Sequence, residues 1–437
     1  MYRNSFKILT DWKDNRYRKP LLIRGARQVG KSYLVEQFGR QYFKESFVKF
    51  DFEAQPELKK IFSGNLQPKT IIPQLELFCG QAISDLESLV FFDEIQSCPQ
   101  ALISLKYFFE QRPDLPIIAA GSLIEFAISE ISFPVGRIKT LNIYPLSFFE
   151  FLLAMGKDKL ADLILEPPRL LTAAEHQLML EQYKLFLLIG GLPEAVKVFS
   201  ETGSALQAQI VQKDLIKTYQ ADFSKYSGRS NIECLRQVFH SIPQKITKPV
   251  KYTHLSADFS VPTIKKAVQL LYMAQMIHKI PHTNPHGLPL GASASPKLFK
   301  LILLDIGLLH ALSHLEPQKE LLTSSLLDTY RGALAEQAVG QSLLHQTDGD
   351  IYTWYRPQQG SQAEVDYVIA REGQVIPIEV KSGKVARLKS LHQFLKDYQL
   401  AKEGYAISEA PYARNDSARI VNLPIYYADT FFRNIEP

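Results

Sequence analysis

The run Gly25-Ala26-Arg27-Gln28-Val29-Gly30-Lys31-Ser32 follows directly on the apolar stretch Pro20-Leu-Leu-Ile23. The pattern G-x-x-x-x-G-K-S carries meaning only between a strand and a helix, where successive backbone N–H groups and a helix N-terminus converge on one point and attract a polyphosphate. Both flanks fit: Leu21 to Arg24 reads as a short buried strand, and Ser32-Tyr-Leu-Val-Glu-Gln-Phe38 as the start of an amphipathic helix. Gly25 and Gly30 let the backbone approach the phosphates, with the amides of Ala26, Arg27, Gln28 and Val29 between them. Lys31 reaches the β- and γ-phosphates, and the Ser32 hydroxyl is placed to ligate Mg²⁺. The motif predicts an α/β chain that binds a nucleoside triphosphate such as ATP.

A second part of the same site is expected at Ser88-Leu-Val-Phe-Phe92-Asp93-Glu94. Its apolar residues make a strand buried on both faces, with two carboxylates at the C-terminal end, where ligands bind in open α/β sheets. Asp93 is the candidate to hold Mg²⁺ through water, and Glu94 to orient or deprotonate an attacking water. A third strand, Pro116-Ile-Ile-Ala-Ala-Gly121-Ser122, ends in a hydroxyl with two readings: Ser122 monitors the γ-phosphate, or it caps the helix Leu123 to Ser129. Arg137 precedes the strand-like run Ile138 to Tyr144 and also has two readings. It reaches across a subunit interface to a neighbour's nucleotide, or it pairs with local acids.

These stretches, with Ala119–Ser122, Pro134–Arg137, Tyr144–Leu152 and Gly190-Gly191-Leu-Pro193-Glu-Ala-Val196 in that order, resemble the prokaryotic AAA-type ATPases that carry a C-terminal nuclease-like domain of unknown function. The resemblance covers nearly the whole chain. It implies an AAA-type P-loop parallel sheet over residues 1–157, a helical lid over 158–228, a winged helix over 229–300 and an α/β nuclease-like domain over 301–437. It also implies that the Gly-x-Pro of the lid, here Gly191 and Pro193, packs near the adenine. Lys197 is the nearest basic residue after Pro193, so no second phosphate sensor is evident in the first turn that follows.

At 437 residues the chain exceeds one core and suggests two to four domains, and its 46% apolar content suffices to fill them. Cys79, Cys98 and Cys234 lack metal-ligand spacing and read as free thiols of a reducing compartment. The opening residues do not read as a leader. The apolar run Leu301 to Leu312 is broken by Asp305 and His310 and is too short to span a bilayer. A cytoplasmic protein without a membrane partner is expected. The net charge of +5 permits a nucleic-acid partner without requiring one.

Helical periodicity runs from Thr172 to Lys197 and from Ser204 to Tyr219, and the polar stretch Phe223 to Asn231 reads as a linker. A helix over Ile232 to Pro243 follows. Then a short helix, a turn and a helix opened by Pro262 give the order of a helix-turn-helix, with Ile277–Ile280 and Leu298–Leu304 as strands of a wing. If that helix enters a DNA groove, Thr263, Lys265 and Lys266 face it; the same module serves equally as a protein-binding surface. The segment Pro281 to His286 reads as a loop.

Toward the C-terminus, Ala363-Glu364-Val-Asp366-Tyr-Val-Ile-Ala370 and Val375-Ile-Pro-Ile-Glu379-Val-Lys381-Ser-Gly383 read as adjacent strands. Asp366 followed by Glu379-x-Lys381 resembles the PD-(D/E)xK nuclease core. Alternation puts Glu379 and Lys381 on one face, and Glu336, on a helix opening near Arg331, is a further candidate ligand. Such a set would hold Mg²⁺ or Mn²⁺ with Lys381 near the attacking water; an inert charged edge is the other reading. Three functions stay open: a Mg²⁺-dependent ATPase acting on nucleic acid, an NTPase switch that scaffolds proteins, and an ATP-regulated nuclease. An arginine finger at Arg137 would require a homo-oligomer.

Overall fold

The computed structural model describes residues 1–129, 131, 133, 136–226, 231–313, 329–358, 361–381 and 388–434. The chain divides into two compact units, one formed by Tyr2–Tyr144 with Met273–Gln275 and the other by Pro145–Tyr272 with Met276–Pro437 and Met1.

In the first unit helix α1 (Asn4–Asp14) precedes strand β1 (Leu21–Arg24) and helix α2 (Lys31–Tyr42). Then come β2 (Phe47–Asp51), α3 (Pro68–Cys79), β3 (Leu89–Asp93), α4 (Pro99–Gln111), β4 (Ile117–Ala120), the short α5 (Ile124–Ile128) and β5 (Lys139–Asn142). The five strands form one sheet in the order β2-β3-β4-β1-β5, every neighbour parallel. β3 and β4 are buried along their whole length, as parallel strands covered on both faces must be. Phe62 stands edge to face on Phe52 and Phe92, which are tilted to each other, with ring centroids 5.5–5.7 Å apart in the core. β1 and β3 both point their C-terminal ends the same way, which brings Gly25 and Asp93 to one rim.

The second unit opens on helices α6 (Phe148–Ala154), α7 (Asp158–Leu165), α8 (Ala173–Ile189), α9 (Pro193–Thr202) and α10 (Ala205–Tyr226). Ser147 with Glu150, and Thr172 with Glu175, form capping boxes that start α6 and α8. The expected helical stretch Thr172–Lys197 is divided at Gly190–Leu192, where Gly190 has a φ of +72°. The expected linker is also shorter. Phe223 to Tyr226 complete α10, because the Phe223 ring is buried and stands edge to face on Phe239 at 5.6 Å. Residues 227–230 of that linker lie outside the described residues.

Next come α11 (Ile232–Lys245), which continues past Pro243, and α12 (Val261–Met273), which begins one residue before Pro262. β6 (Ile277–Pro281) and β7 (Phe299–Leu303) pair antiparallel as a separate two-stranded sheet, with Ile280 opposite Lys300. α13 (Ile306–Leu312) and α14 (Thr329–Thr347) lead to β8 (Tyr352–Gln358), β9 (Ser361–Arg371), β10 (Gln374–Val380), α15 (Lys389–Asp397), β11 (Gly404–Ser408), β12 (Ala413–Asn415) and β13 (Ile420–Pro424). These strands make a six-stranded mixed sheet in the order β12-β13-β11-β10-β9-β8. β9 and β10 form the expected antiparallel hairpin, whereas Ser382 and Gly383 lie outside the described residues.

A buried carboxylate fixes the turn between α8 and α9. Asp305 Oδ2 accepts from the Gly191 amide at 2.7 Å, and Oδ1 accepts from the Gly307 and Leu308 amides at 2.9 and 3.3 Å. Burial pushes the Asp305 carboxyl up to about 6, against the pull of these amides. Gly191 has no room for a side chain: a Cβ there would lie 2.1 Å from the Leu146 carbonyl oxygen. Because the obstacle is backbone, Gly191→Ala is expected to destabilise this unit by about 3 kcal/mol in urea unfolding. A loss well below ~1 kcal/mol would show that the turn retreats without strain.

Candidate nucleotide site

The loop between β1 and α2 has the backbone of an anion cradle. Gly25, Gln28 and Gly30 have positive φ values of 154°, 61° and 92°. At Gly25 even a Cβ would lie 2.3 Å from the Ile143 carbonyl oxygen. Gly30 is the N-cap of α2 and supplies no side chain to its first amides, which leaves those donors for an anion. Lys31 is buried, and its Nζ donates to the carbonyl oxygens of Gly25 at 3.0 Å and Ala26 at 2.7 Å. Burial lowers the Lys31 ammonium to about 8, although Glu94 and Asp93 pull it upward. These neutral oxygens hold it in place without discharging it, so a phosphate is the better partner.

The acids at the end of β3 face this loop. Ser32 Oγ donates to Asp93 Oδ1 at 2.9 Å, which joins the two residues expected around Mg²⁺. Asp93 Oδ2 is taken by Lys49 Nζ at 2.8 Å, and Lys49 also meets Glu36 Oε1 at 2.8 Å. Burial opposes the Lys49 charge, but its hydrogen bonds to Asp93 and Glu36 hold the ammonium above the usual lysine range. Glu94 has a left-handed φ of 48°, and its Oε2 accepts from Gln96 Nε2 at 2.5 Å. Gly121 makes room for that amide, since a Cβ there would lie 2.0 Å from Gln96 Oε1.

Ser122 is buried, but it is not the cap of α5: the residue before that helix is Leu123, which makes no side-chain cap hydrogen bond. The Ser122 hydroxyl instead accepts from Arg27 Nε at 3.4 Å. Arg27, Gln28, Gly30, Lys31, Ser32, Tyr33, Glu53, Glu94 and Ser122 line one open cleft of about 340 Å³. The donor set, the ungated helix N-terminus and the Ser32–Asp93 pair fit a nucleoside triphosphate with its Mg²⁺. Arg137 has an exposed side chain and pairs with Glu110 Oε1 at 3.2 Å, the local pairing anticipated as one of its two readings. Gly191 and Pro193 belong to the other compact unit.

Residues 17–152 match the family model described as AAA domain. With its parallel five-stranded sheet, this segment is similar in fold to AAA-type P-loop ATPases. Residues 180–319 match a domain of unknown function (DUF8612), and residues 331–426 a second one (DUF4143). No curated protein matches the chain by sequence. Among solved structures, the Walker-type ATPase PABY2304 of Pyrococcus abyssi is similar at 16% identity, over 71% of this chain and 95% of that one, with a TM-score of 0.45. AMPPCP-bound DnaA from Aquifex aeolicus is similar at 14% identity, over 62% and 87% of the two chains, with a TM-score of 0.30. The Aeropyrum pernix ORC1 protein in complex with DNA follows at 11% identity, over 72% and 92%, with a TM-score of 0.27. Among the described residues, no helix is long and apolar enough to cross a membrane.

The carboxylates expected to hold a metal in the C-terminal sheet are gathered, but around a lysine that sequence reasoning missed. Lys300 of β7 is 1% exposed, and its Nζ lies 2.6 Å from Glu364 Oε1, 2.8 Å from Glu336 Oε1 and 3.1 Å from Asp366 Oδ1. Asp366 Oδ2 accepts from the Val380 amide at 2.8 Å. Glu379 Oε1 pairs with Lys381 Nζ at 2.5 Å, and its buried Oε2 has no hydrogen-bond partner among the described residues. Burial, reinforced by Asp366, raises the Glu379 carboxyl to about 8; burial likewise raises Glu336. Among the described residues no group of three or more His, Cys, Asp or Glu side chains is arranged to hold a metal ion. The expected Mg²⁺ or Mn²⁺ site at Glu336, Asp366 and Glu379 is therefore corrected: an ammonium occupies the oxygens a cation would use. The one signal in the sequence was a single charge inside the apolar run Phe299-Lys-Leu-Ile-Leu303.

The lowered Lys31 sets a pH dependence for this cleft. The free protein loses the Lys31 proton as pH rises through about 8, whereas bound phosphates favour the charged form. Nucleotide affinity should therefore fall by up to ~tenfold per pH unit above that point, read with a fluorescent nucleotide between about pH 7 and pH 9.5. An affinity flat across that range would show that free Lys31 keeps its charge.

Proposed function

We propose that this chain is a Mg²⁺-dependent ATPase that acts on nucleic acid. The observation that carries the ATPase reading is the convergence of Lys31, Ser32, Glu94 and Ser122 on one cleft, with Asp93 bonded to Ser32 behind it. When bound, Mg²⁺ supplies charge neutralisation at the phosphates. Lys31 and the α2 amides bind the phosphates, Ser32 and Asp93 are the metal's candidate holders, and Glu94 orients and deprotonates water. Ser122, beside Arg27 at the same cleft, monitors the terminal phosphate. The nucleic-acid reading rests on the exposed Lys265 and Lys266 of α12, partly exposed Thr263 beside them, and the net charge of +5.

Lys31→Ala is expected to abolish tight ATP binding. Glu94→Gln is expected to keep binding while slowing turnover by ~100-fold or more. Wild-type turnover in Glu94→Gln would reject Glu94 as the water-activating residue. Arg137 is assigned to a neighbouring subunit's nucleotide in a homo-oligomer. Its exposed pair with Glu110 is worth only about 0–1 kcal/mol and is readily exchanged for a phosphate. Mixing Arg137→Ala with Lys31→Ala chains should then restore part of the hydrolysis that each lacks, and no recovery would return Arg137 to a local role.

ATP turnover measured with single-stranded, double-stranded and branched DNA tests the partner. Stimulation that weakens with salt is expected, and replacing Lys265 and Lys266 by Ala should reduce the salt slope by about 2. No response at low salt would favour the protein-scaffolding switch.

A further inference from the structure

The cluster around Lys300 contains four carboxylates, on Glu336, Glu364, Asp366 and Glu379, and two ammonium groups, on Lys300 and Lys381. With every group ionised it would carry two excess negative charges, but burial raises Glu379 and Glu336 and so favours their neutral forms. Lys300 Nζ donates to Glu336 Oε1 and Asp366 Oδ1 and lies 2.6 Å from Glu364 Oε1, so three carboxylates crowd its ammonium. A Mg²⁺ or Mn²⁺ ion bound by these oxygens would lie about 2.0–2.6 Å from each, in the volume the Lys300 Nζ fills. Nitrogen and metal cannot share it. Glu379 Oε2 is buried beside this group and has no hydrogen-bond partner among the described residues.

We propose that Lys300 is an internal counter-ion that excludes divalent metal from this carboxylate cluster, and that a metal site appears there only when its ammonium leaves. The ammonium is delivered from β7, outside the six-stranded sheet that carries Glu364, Asp366 and Glu379. Occupancy of the cluster is thereby tied to the seating of a separate hairpin. The resemblance to a metal nuclease fails at the site for a stated reason: the carboxylates are present, but their cation is a side chain.

The test counts Mn²⁺ bound per full-length, nucleotide-free chain by electron paramagnetic resonance, with thermal unfolding alongside. Wild type and Asp366→Asn should bind the same number of Mn²⁺ ions, because the cluster takes none in either. Lys300→Met should gain one Mn²⁺ per chain and a Mn²⁺-dependent rise in melting temperature, and Lys300→Met with Asp366→Asn should lose both. The P-loop is intact in every variant, so the differences report the cluster alone. A Mn²⁺ ion bound by wild type and lost in Asp366→Asn would overturn the proposal, as would a folded Lys300→Met chain that gains none. Should Lys300→Met not fold, the wild-type and Asp366→Asn pair still decides whether metal is excluded.

Discussion

Asp93 ends a strand with no residue open to water, and a polar group in that position needs partners to replace its lost solvent. The Glu94 amide does so locally at 3.1 Å, and two side chains do so from different elements. Ser32 reaches it from the first turn of α2 and Lys49 from β2, so the carboxylate ties the P-loop helix to two adjacent strands. The Lys49 contact continues to Glu36, one turn further along α2. The nucleotide cleft depends on this small network. Without it the loop and the acids opposite would be joined only through the sheet.

Two buried lysines show how the same side chain is given opposite tasks by its acceptors. Lys31 sits on carbonyl oxygens, which are weak partners, and burial lowers the pKa of its ammonium to about 8. It is held ready for a stronger anion. Lys300 sits among carboxylates that hold its ammonium well above the usual lysine range, even though burial opposes the charge. Removing one partner from such a buried set leaves a charge stranded, at a cost of about 3–5 kcal/mol, so the Lys300 group holds together as a unit.

What could be read from the sequence was set by residues close together along the chain. The P-loop, the acids after β3 and the β9–β10 hairpin are contiguous patterns, and each lies where its own spacing put it. Lys49, Lys300 and Asp305 depend on strand order and register, which no window of sequence contains. Lys49 reaches Asp93 only because β2 pairs in parallel with β3, Asp51 opposite Asp93. Of the two readings of Ser122 the cap fails for a local reason: α5 starts one residue later and the hydroxyl turns to Arg27. Phe223 misled, since polar neighbours suggested a linker while its ring was already committed to Phe239.

One short segment makes two of these long-range contacts. Lys300 lies within β7, and Asp305 follows two residues after that strand ends. A slide of β7 by a single register position along β6 would turn Lys300 to the opposite face of the hairpin. The same slide would carry Asp305 about 3.3 Å along the strand direction, beyond reach of the Gly191 amide. The acidic cluster of the sheet and the glycine turn between α8 and α9 therefore share one lever: the strand cannot let go of one and keep the other.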